Sequence, residues 1–469
     1  MGNSKFVFFG VVLLLASFIA FGIKLGCSSQ AEETAREYPR IDFTADFDFP
    51  GEWGDVPTTV VTTFYPGQSN WQWLESEVHP GSSGLAQGMG CRSCHEGEER
   101  ALGESLVKGH ELEPTPIEGK AGSKDLKLQA AYDEQYFYLR AEWESERPGI
   151  THGTYRYDAS KREWIRASKN KPYPLEENEF YSYEDRLVLI IDDQNLAVYE
   201  GAEVGVKEVG CWAVCHSSMR EMPERPSAEE VKAHPYLGEE NLGEDDIRKY
   251  LLKTRYELDE ADGWDKVDSE KAEQMFKDGQ FLDLIQFRGA RSAPMQSASS
   301  DYVLEYRFSG VSGVNSWINQ DPPYGENDWM YDREKTGFNF FPEEKFKAGE
   351  IDQYPLYTEG PKQNCAPYDP EAELGDGDML PRRILREATE SRGAVNAYST
   401  WEDGKWKVTL VRELDTGYPD DKVLSEGNVY NVGFGLFDDH VSNRFHHVTL
   451  PLTMGLGDME ADIQAVRIE

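Results

Sequence analysis

Apolar and polar side chains alternate along residues 126–145, LKLQAAYDEQYFYLRAEWES. Phe137, Leu139, Ala141 and Trp143 fall in one phase and Tyr136, Tyr138, Arg140 and Glu142 in the other. That period of two predicts a β-hairpin turning near Asp133-Glu134. Residues 185–193, DRLVLIIDD, run continuously apolar at their centre, as a strand covered on both faces does. Further strands are expected at 301–308 (DYVLEYRF), 400–414 (turning at Asp403-Gly404), 428–439 and 444–452. Helical signals are fewer. One lies in NWQWLESEV (70–78), with Asn70 as N-cap, and three lie within 205–290, in SAEEVKAHPYL, GEDDIRKYLLKTR and DSEKAEQMFKDG. The pattern predicts a mainly β protein, an antiparallel β-sandwich or jelly roll with a helical insert at about 205–290.

The N-terminus has a different character. Residues 6–23, FVFFGVVLLLASFIAFGI, are uniformly apolar and follow Lys5. They are long for a signal-peptide core and just long enough to span a bilayer. The following LGCSSQAEE is similar to a lipoprotein cleavage site with Cys27 as the lipidated residue, although Lys24 replaces the usual aliphatic side chain. Either anchor puts residues 28–469 on the periplasmic side of a bacterial membrane. The expected organisation is a signal or membrane anchor over 1–27 and a charged, Pro/Gly-punctuated linker over 28–60. A small N-terminal segment follows over 61–115, then the sandwich over 116–469.

Composition sharpens this picture modestly. The chain of 469 residues is 39% hydrophobic and 12% aromatic, enough for a sizeable core, and its formal charge is −38. Such a field repels nucleic acid and anionic headgroups and favours basic protein partners. A plain solubility adaptation accounts for it equally well.

Two cysteine motifs carry the chemistry. Cys91-Arg-Ser-Cys94-His95 has two thiols and a histidine at the spacing of c-type haem attachment. The thiols reach the two vinyl groups and the histidine swings under the iron. A zinc site needs four ligands, and only His110 lies near enough to help. Cys211-Trp-Ala-Val-Cys215-His216 has one more intervening residue. It is a rarer spacing compatible with a second haem, with a disulfide and a b-type pocket as the alternatives. For the first site His79 is the candidate sixth ligand and His110 the next, whereas Met89 sits too close to Cys91. For the second, Met219, Met222, Met295 and the pair His446/His447 are available. The two histidines are consecutive on an expected strand, so they point to opposite faces, and a core role competes with ligation. Two bound histidines give a lower potential than His/Met, and a six-coordinate iron transfers electrons rather than binding oxygen.

The order of landmarks resembles that of the ethylbenzene-dehydrogenase-related cytochromes. FYPGQSNWQWL, CRSCHEGEE, EPTPIEGKAG, LQAAYDEQYFYLRAEW and DRLVLIIDD come first, then GCWAVCHSSMREMP, FLDLIQFRGAR and FHHVTLPLTMGLGD. The haem-binding domain of that family is similar to the γ subunit of ethylbenzene and dimethyl sulfide dehydrogenases. The resemblance spans about 60–465. It implies a haem-binding β-sandwich and an electron-transfer role; the first motif makes 61–115 a haem c segment, and the expected redox protein partners include a molybdoenzyme or a quinol-linked cytochrome. The methionine and lysine that hold the b-type haem of the γ subunits have no counterpart here.

Three functions therefore compete. The first is an exported, membrane-tethered dihaem cytochrome that passes electrons between respiratory-chain partners and a periplasmic oxidoreductase. The second is a ligand- or carbohydrate-binding sandwich with structural cysteines, and the third a haem enzyme with an open iron position. Cys365 is expected as a buried thiol, and Asp438-Asp439 before His440 as a solvated strand end rather than a calcium site.

Overall fold

The computed structural model describes residues 40–167, 181–194, 196–197, 204–214, 227–233, 249–257, 264–306, 313, 316–319, 327–347, 355–358 and 363–469. Ten strands form the frame: β1 (Ser123–Tyr132), β2 (Tyr136–Glu144), β3 (Arg186–Asp192), β4 (Leu282–Arg288), β5 (Ser297–Val303), β6 (Val395–Glu402), β7 (Lys405–Glu413), β8 (Val429–Phe437), β9 (Leu452–Leu456) and β10 (Ile463–Arg467). They pair in the cyclic order β8-β9-β10-β1-β2-β7-β6-β5-β4-β3, and β3 returns to β8 through the register Leu189↔Phe434. Pairing is antiparallel except at β9–β10 and β10–β1.

The mainly β character matches the expectation, but the sheet closes into a barrel where a sandwich or jelly roll was expected. The reason is β3. Both of its edges are paired, to β4 and to β8, so no free edge separates two sheets. Alternation of inward and outward side chains is the same in a sandwich and a barrel, and the sequence pattern does not distinguish them.

The expected alternation is present in the hairpin. Phe137, Leu139, Ala141 and Trp143 enter the barrel core with Leu187, Leu189, Ile191, Phe287 and Trp406. The other face of β3, Val188 and Ile190, is covered by a second apolar cluster that includes Leu282, Leu284, Val209 and Trp212. The turn at Asp403-Gly404 has positive φ at both residues, 51° and 72°, as a type I′ hairpin requires.

Three expectations need correction. The helical insert ends before residue 290, because Leu282–Arg288 is barrel strand β4. Helices Ala228–Ala233 and Ser269–Lys277 are present, the latter capped by Asp268, which accepts from the Lys271 amide at 2.8 Å. The strand expected over 444–452 is two pieces, His447–Val448 and β9, since Pro451 between them lacks an N–H for the ladder. Asp438 is no solvated strand end: it is buried and paired with Lys124.

The segment ahead of the barrel is joined to it by a strand. Thr59–Phe64 runs antiparallel to β1, and Phe64 also pairs with Val448. Four short helices follow: α1 (Trp71–Glu75), α2 (Ser82–Leu85), α3 (Arg92–His95) and α4 (Glu99–Val107). As expected, Asn70 caps α1, accepting from the Trp73 amide at 2.7 Å. Helix α4 crosses the chain just before β1 at Gly103 and Gly122, where a Cβ on Gly103 would stand 1.9 Å from the Gly122 carbonyl oxygen. No helix among the described residues is long and apolar enough to cross a membrane. Residues 6–23 and Cys27 lie outside them.

Candidate functional site

Cys91, Cys94 and His95 lie on one turn of backbone. Cys91 precedes α3, and the amides of Cys94 and His95 both donate to its carbonyl, at 3.2 and 3.0 Å. The two thiols and the imidazole therefore project from a single short helical step. Cys91 is half-buried and Cys94 exposed, and both are free thiols. Burial pushes the Cys91 thiol up to about 12.

A cavity of about 530 Å³ opens beside this step, within the range of cofactor and ligand sites. Its wall includes His79, Met89, Cys91, Cys94, His95, His110, Trp212 and Leu450. His79 comes from the turn between α1 and α2. Its ring stands 6.4 Å from that of His95 by centroids, with the planes 25° apart. The Nδ1 of His79 lies 2.8 Å from the Leu74 carbonyl, which makes it the protonated nitrogen, and the Nδ1 of His95 lies 3.4 Å from the Glu98 carboxylate. Tethering Nδ1 directs each Nε2 away as the lone-pair nitrogen, the usual arrangement of a metal-ligating imidazole. Trp73 packs on His79 at 4.9 Å.

The wall is braced from distant parts of the chain. Arg92, inside the first cysteine motif, donates to Asp462 at 2.7 Å, and Asp462 also accepts from the Thr453 amide and hydroxyl, both at 2.8 Å. Burial pushes the Asp462 carboxyl up, but these hydrogen bonds outweigh it and hold it below its ordinary range. Beneath the cavity, Tyr65 donates to Glu113 at 2.5 Å, and Arg444 contacts both.

The residues leading into the second motif touch the first. The Cys91 amide donates to the Glu208 carbonyl at 2.9 Å. Trp212 donates from Nε1 to the Ser69 hydroxyl at 3.1 Å, and its ring lies 5.8 Å from Phe64. Cys211 is buried in a turn of 3-10 helix over Gly210–Ala213. Cys215, His216, Met219 and Met222 lie outside the described residues.

The remaining candidates are elsewhere or differently engaged. His110 is exposed on the cavity rim in a tight turn bridged to Glu113. His446 and His447 are both buried but line no part of this cavity. His446 stacks on Phe437 at 4.4 Å with Nδ1 2.6 Å from the Asn443 carbonyl, and His447 engages the Ala121 carbonyl through Nε2 at 2.8 Å. Met295 sits in a 3-10 turn before β5, off the cavity wall. Cys365 is a buried thiol, as expected, and donates to the Tyr357 carbonyl at 2.9 Å. Among the described residues no group of three or more His, Cys, Asp and Glu side chains is placed to hold a metal ion.

A family model described as ethylbenzene dehydrogenase matches residues 53–449. The chain belongs to the ethylbenzene dehydrogenase family. Within curated proteins, this family member is similar to cytochrome c-552 of Stutzerimonas stutzeri, at 25% identity over 420 residues, 89% of this chain and 91% of that one. It is also similar to cytochrome c-551 of Rhodocyclus tenuis, at 24% identity over 172 residues, 37% of this chain and 58% of that one.

Sequence reasoning missed Trp212, Arg92 and the Tyr65–Glu113–Arg444 cluster as parts of this family member's site. Trp212 and Arg92 carried a signal, since both occupy variable positions inside the cysteine motifs. The cluster had none, because Glu113 and Arg444 meet across more than 300 residues of chain.

Proposed function

We propose that this chain is an exported, membrane-tethered dihaem cytochrome that passes electrons between respiratory-chain partners and a periplasmic oxidoreductase. The observation that carries the reading is the His79–His95 pair over the Cys91/Cys94 step. Two imidazoles ligating one iron, with metal–nitrogen bonds of about 2.0–2.1 Å, put their ring centroids about 6 Å apart, and the observed 6.4 Å fits. The similarity to cytochromes c-552 and c-551 supports the same conclusion.

In this reading Cys91 and Cys94 would hold haem c through their thiols, and His95 and His79 would be the histidines that hold its iron. The bound group supplies one-electron exchange. The protein's own work is to keep the two imidazoles in place through Leu74, Glu98 and Trp73, and to shield one side of the cavity with Trp212 and Leu450. An iron held by both histidines would exchange electrons rather than bind oxygen. A second haem belongs at Cys211, Cys215 and His216. If either of the consecutive histidines serves it, His446 is the better placed, because His447 commits its Nε2 to Ala121. A basic redox partner, whether a molybdoenzyme or a quinol-linked cytochrome, matches the −38 charge. Residues 6–23 or a lipidated Cys27 supply the tether.

Intact mass of the denatured, exported protein tests the reading. Two covalent haems are expected. One covalent haem would remove the second c-type site, and an apo mass without Soret absorption would overturn the cytochrome altogether. Carbon monoxide binding to the reduced protein would replace the carrier with a haem enzyme whose iron is open.

A further inference from the structure

Helix α3 carries the first cysteine motif on very little structure. It is four residues long, and none of them is buried. A single helical turn has no stability of its own, so contacts with the rest of the chain fix where the thiols and the His95 ring point. On the downstream side the turn runs into Gly97, at φ 83°, where an added Cβ would touch nothing. On the upstream side the Cys91 amide donates to the Glu208 carbonyl at 2.9 Å, and a Cβ on Gly90 would stand 3.1 Å from the same oxygen. That contact fixes only the start of the turn.

Arg92, between the two thiols, reaches further. Its Nη2 contacts Glu96 on the same turn, which cannot place the turn in the molecule. Its Nη1 donates at 2.7 Å to Oδ2 of Asp462, 370 residues away and immediately before β10. That oxygen is held in position by the barrel. The Thr453 amide and hydroxyl both donate to it at 2.8 Å, and the Asp462 amide returns a hydrogen bond to the Thr453 hydroxyl at 3.0 Å. The Thr59 hydroxyl donates to the Asp462 carbonyl at 3.2 Å. Thr453 belongs to β9 and lies opposite Asn431 on β8. The acceptor is therefore fixed in the barrel frame, and Arg92 ties the cysteine turn to it.

We propose that Asp462 is a positioning residue for the first cysteine motif: it holds Arg92, and through it the turn that presents Cys91, Cys94 and His95 to His79 across the cavity. Its bearing on ligation rests on the reading of that motif as a haem c site. The Arg92 side chain is 34% accessible and that of Asp462 23%, and an ion pair so open to water contributes little to global stability. Its effect is local, because no residue of α3 is anchored by burial.

The full-length protein carrying Arg92→Gln, Arg92→Lys or Asp462→Asn tests this. Hydrogen exchange across residues 91–96, read by mass spectrometry, should quicken up to about fivefold in Arg92→Gln and Asp462→Asn. Arg92→Lys should restore part of the protection. The haem-bearing variants should gain partial high-spin character and carbon monoxide binding, while thermal unfolding moves by no more than about 2 °C. Arg92→Gln leaves Asp462 on Thr453 and stays decisive if Asp462→Asn does not fold. Unaltered exchange at 91–96, or an unaltered spectrum with no carbon monoxide binding, would overturn the proposal. Intact mass decides the haem reading separately: a chain without haem whose variants still exchange faster keeps the positioning role and loses the cytochrome.

Discussion

The rings of His79 and His95 stand 6.4 Å apart on two walls of one cavity, although they come from different turns. Each is oriented by its own Nδ1 contact, to the Leu74 carbonyl and to Glu98. Their pairing predicts that His79 sets the reduction potential of the first site. Replacing His79 with methionine should raise that potential by on the order of 100 mV, since methionine ligation favours the reduced iron. Spectroelectrochemical titration reads the change, and an unaltered potential would remove His79 as a ligand.

Gly81 lies against this imidazole. A Cβ added there would come within 2.9 Å of the His79 Cε1, a contact that forces the ring to move. Gly81→Val should therefore weaken ligation without changing any charge or ligand. The expected signature is partial high-spin character and new carbon monoxide binding. Thermal unfolding should change little, because the turn is at the surface.

Asp185 supplies a pH dependence. Burial, reinforced by the charge of Asp438, pushes its carboxyl up to about 7, despite hydrogen bonds from Trp406, Gly149 and Ser145. The fold therefore holds a proton that the unfolded chain, with a value of about 3.9, releases. Stability from this group is fully present below pH 4 and declines as pH rises to about 7, by at most about 4 kcal/mol. Asp185→Asn should flatten that decline in denaturant titrations between pH 4 and 7. An unchanged slope would assign the dependence to other groups.

The −38 charge predicts electrostatic steering of a basic partner. The second-order rate of electron transfer to a positively charged cytochrome should fall roughly tenfold or more as salt is raised above the physiological range. Stopped-flow absorbance measures it. A rate insensitive to salt would leave the charge a matter of solubility.

Much of this was legible in the sequence because it depends on local spacing. The hairpin at 126–145 follows from alternation, the cap at Asn70 from its position before α1, and the Cys91/Cys94/His95 step from three residues on one helical turn. His79 was picked on proximity in sequence alone, and the structure places it on the cavity wall. What faces it was set by the fold.

The sequence by itself determined which side chains alternate, which segments turn, and which thiols and imidazole share one turn, since these depend on neighbours within a few residues. The tertiary structure decided how the sheet closes, because a period of two assigns faces but not edges, and β3 meets β8 across some 240 residues of chain. It likewise decided that Trp212 walls the first cavity and that Arg92 is anchored by Asp462. Each of these is a long-range match of shape or charge, and no local pattern encodes the partner.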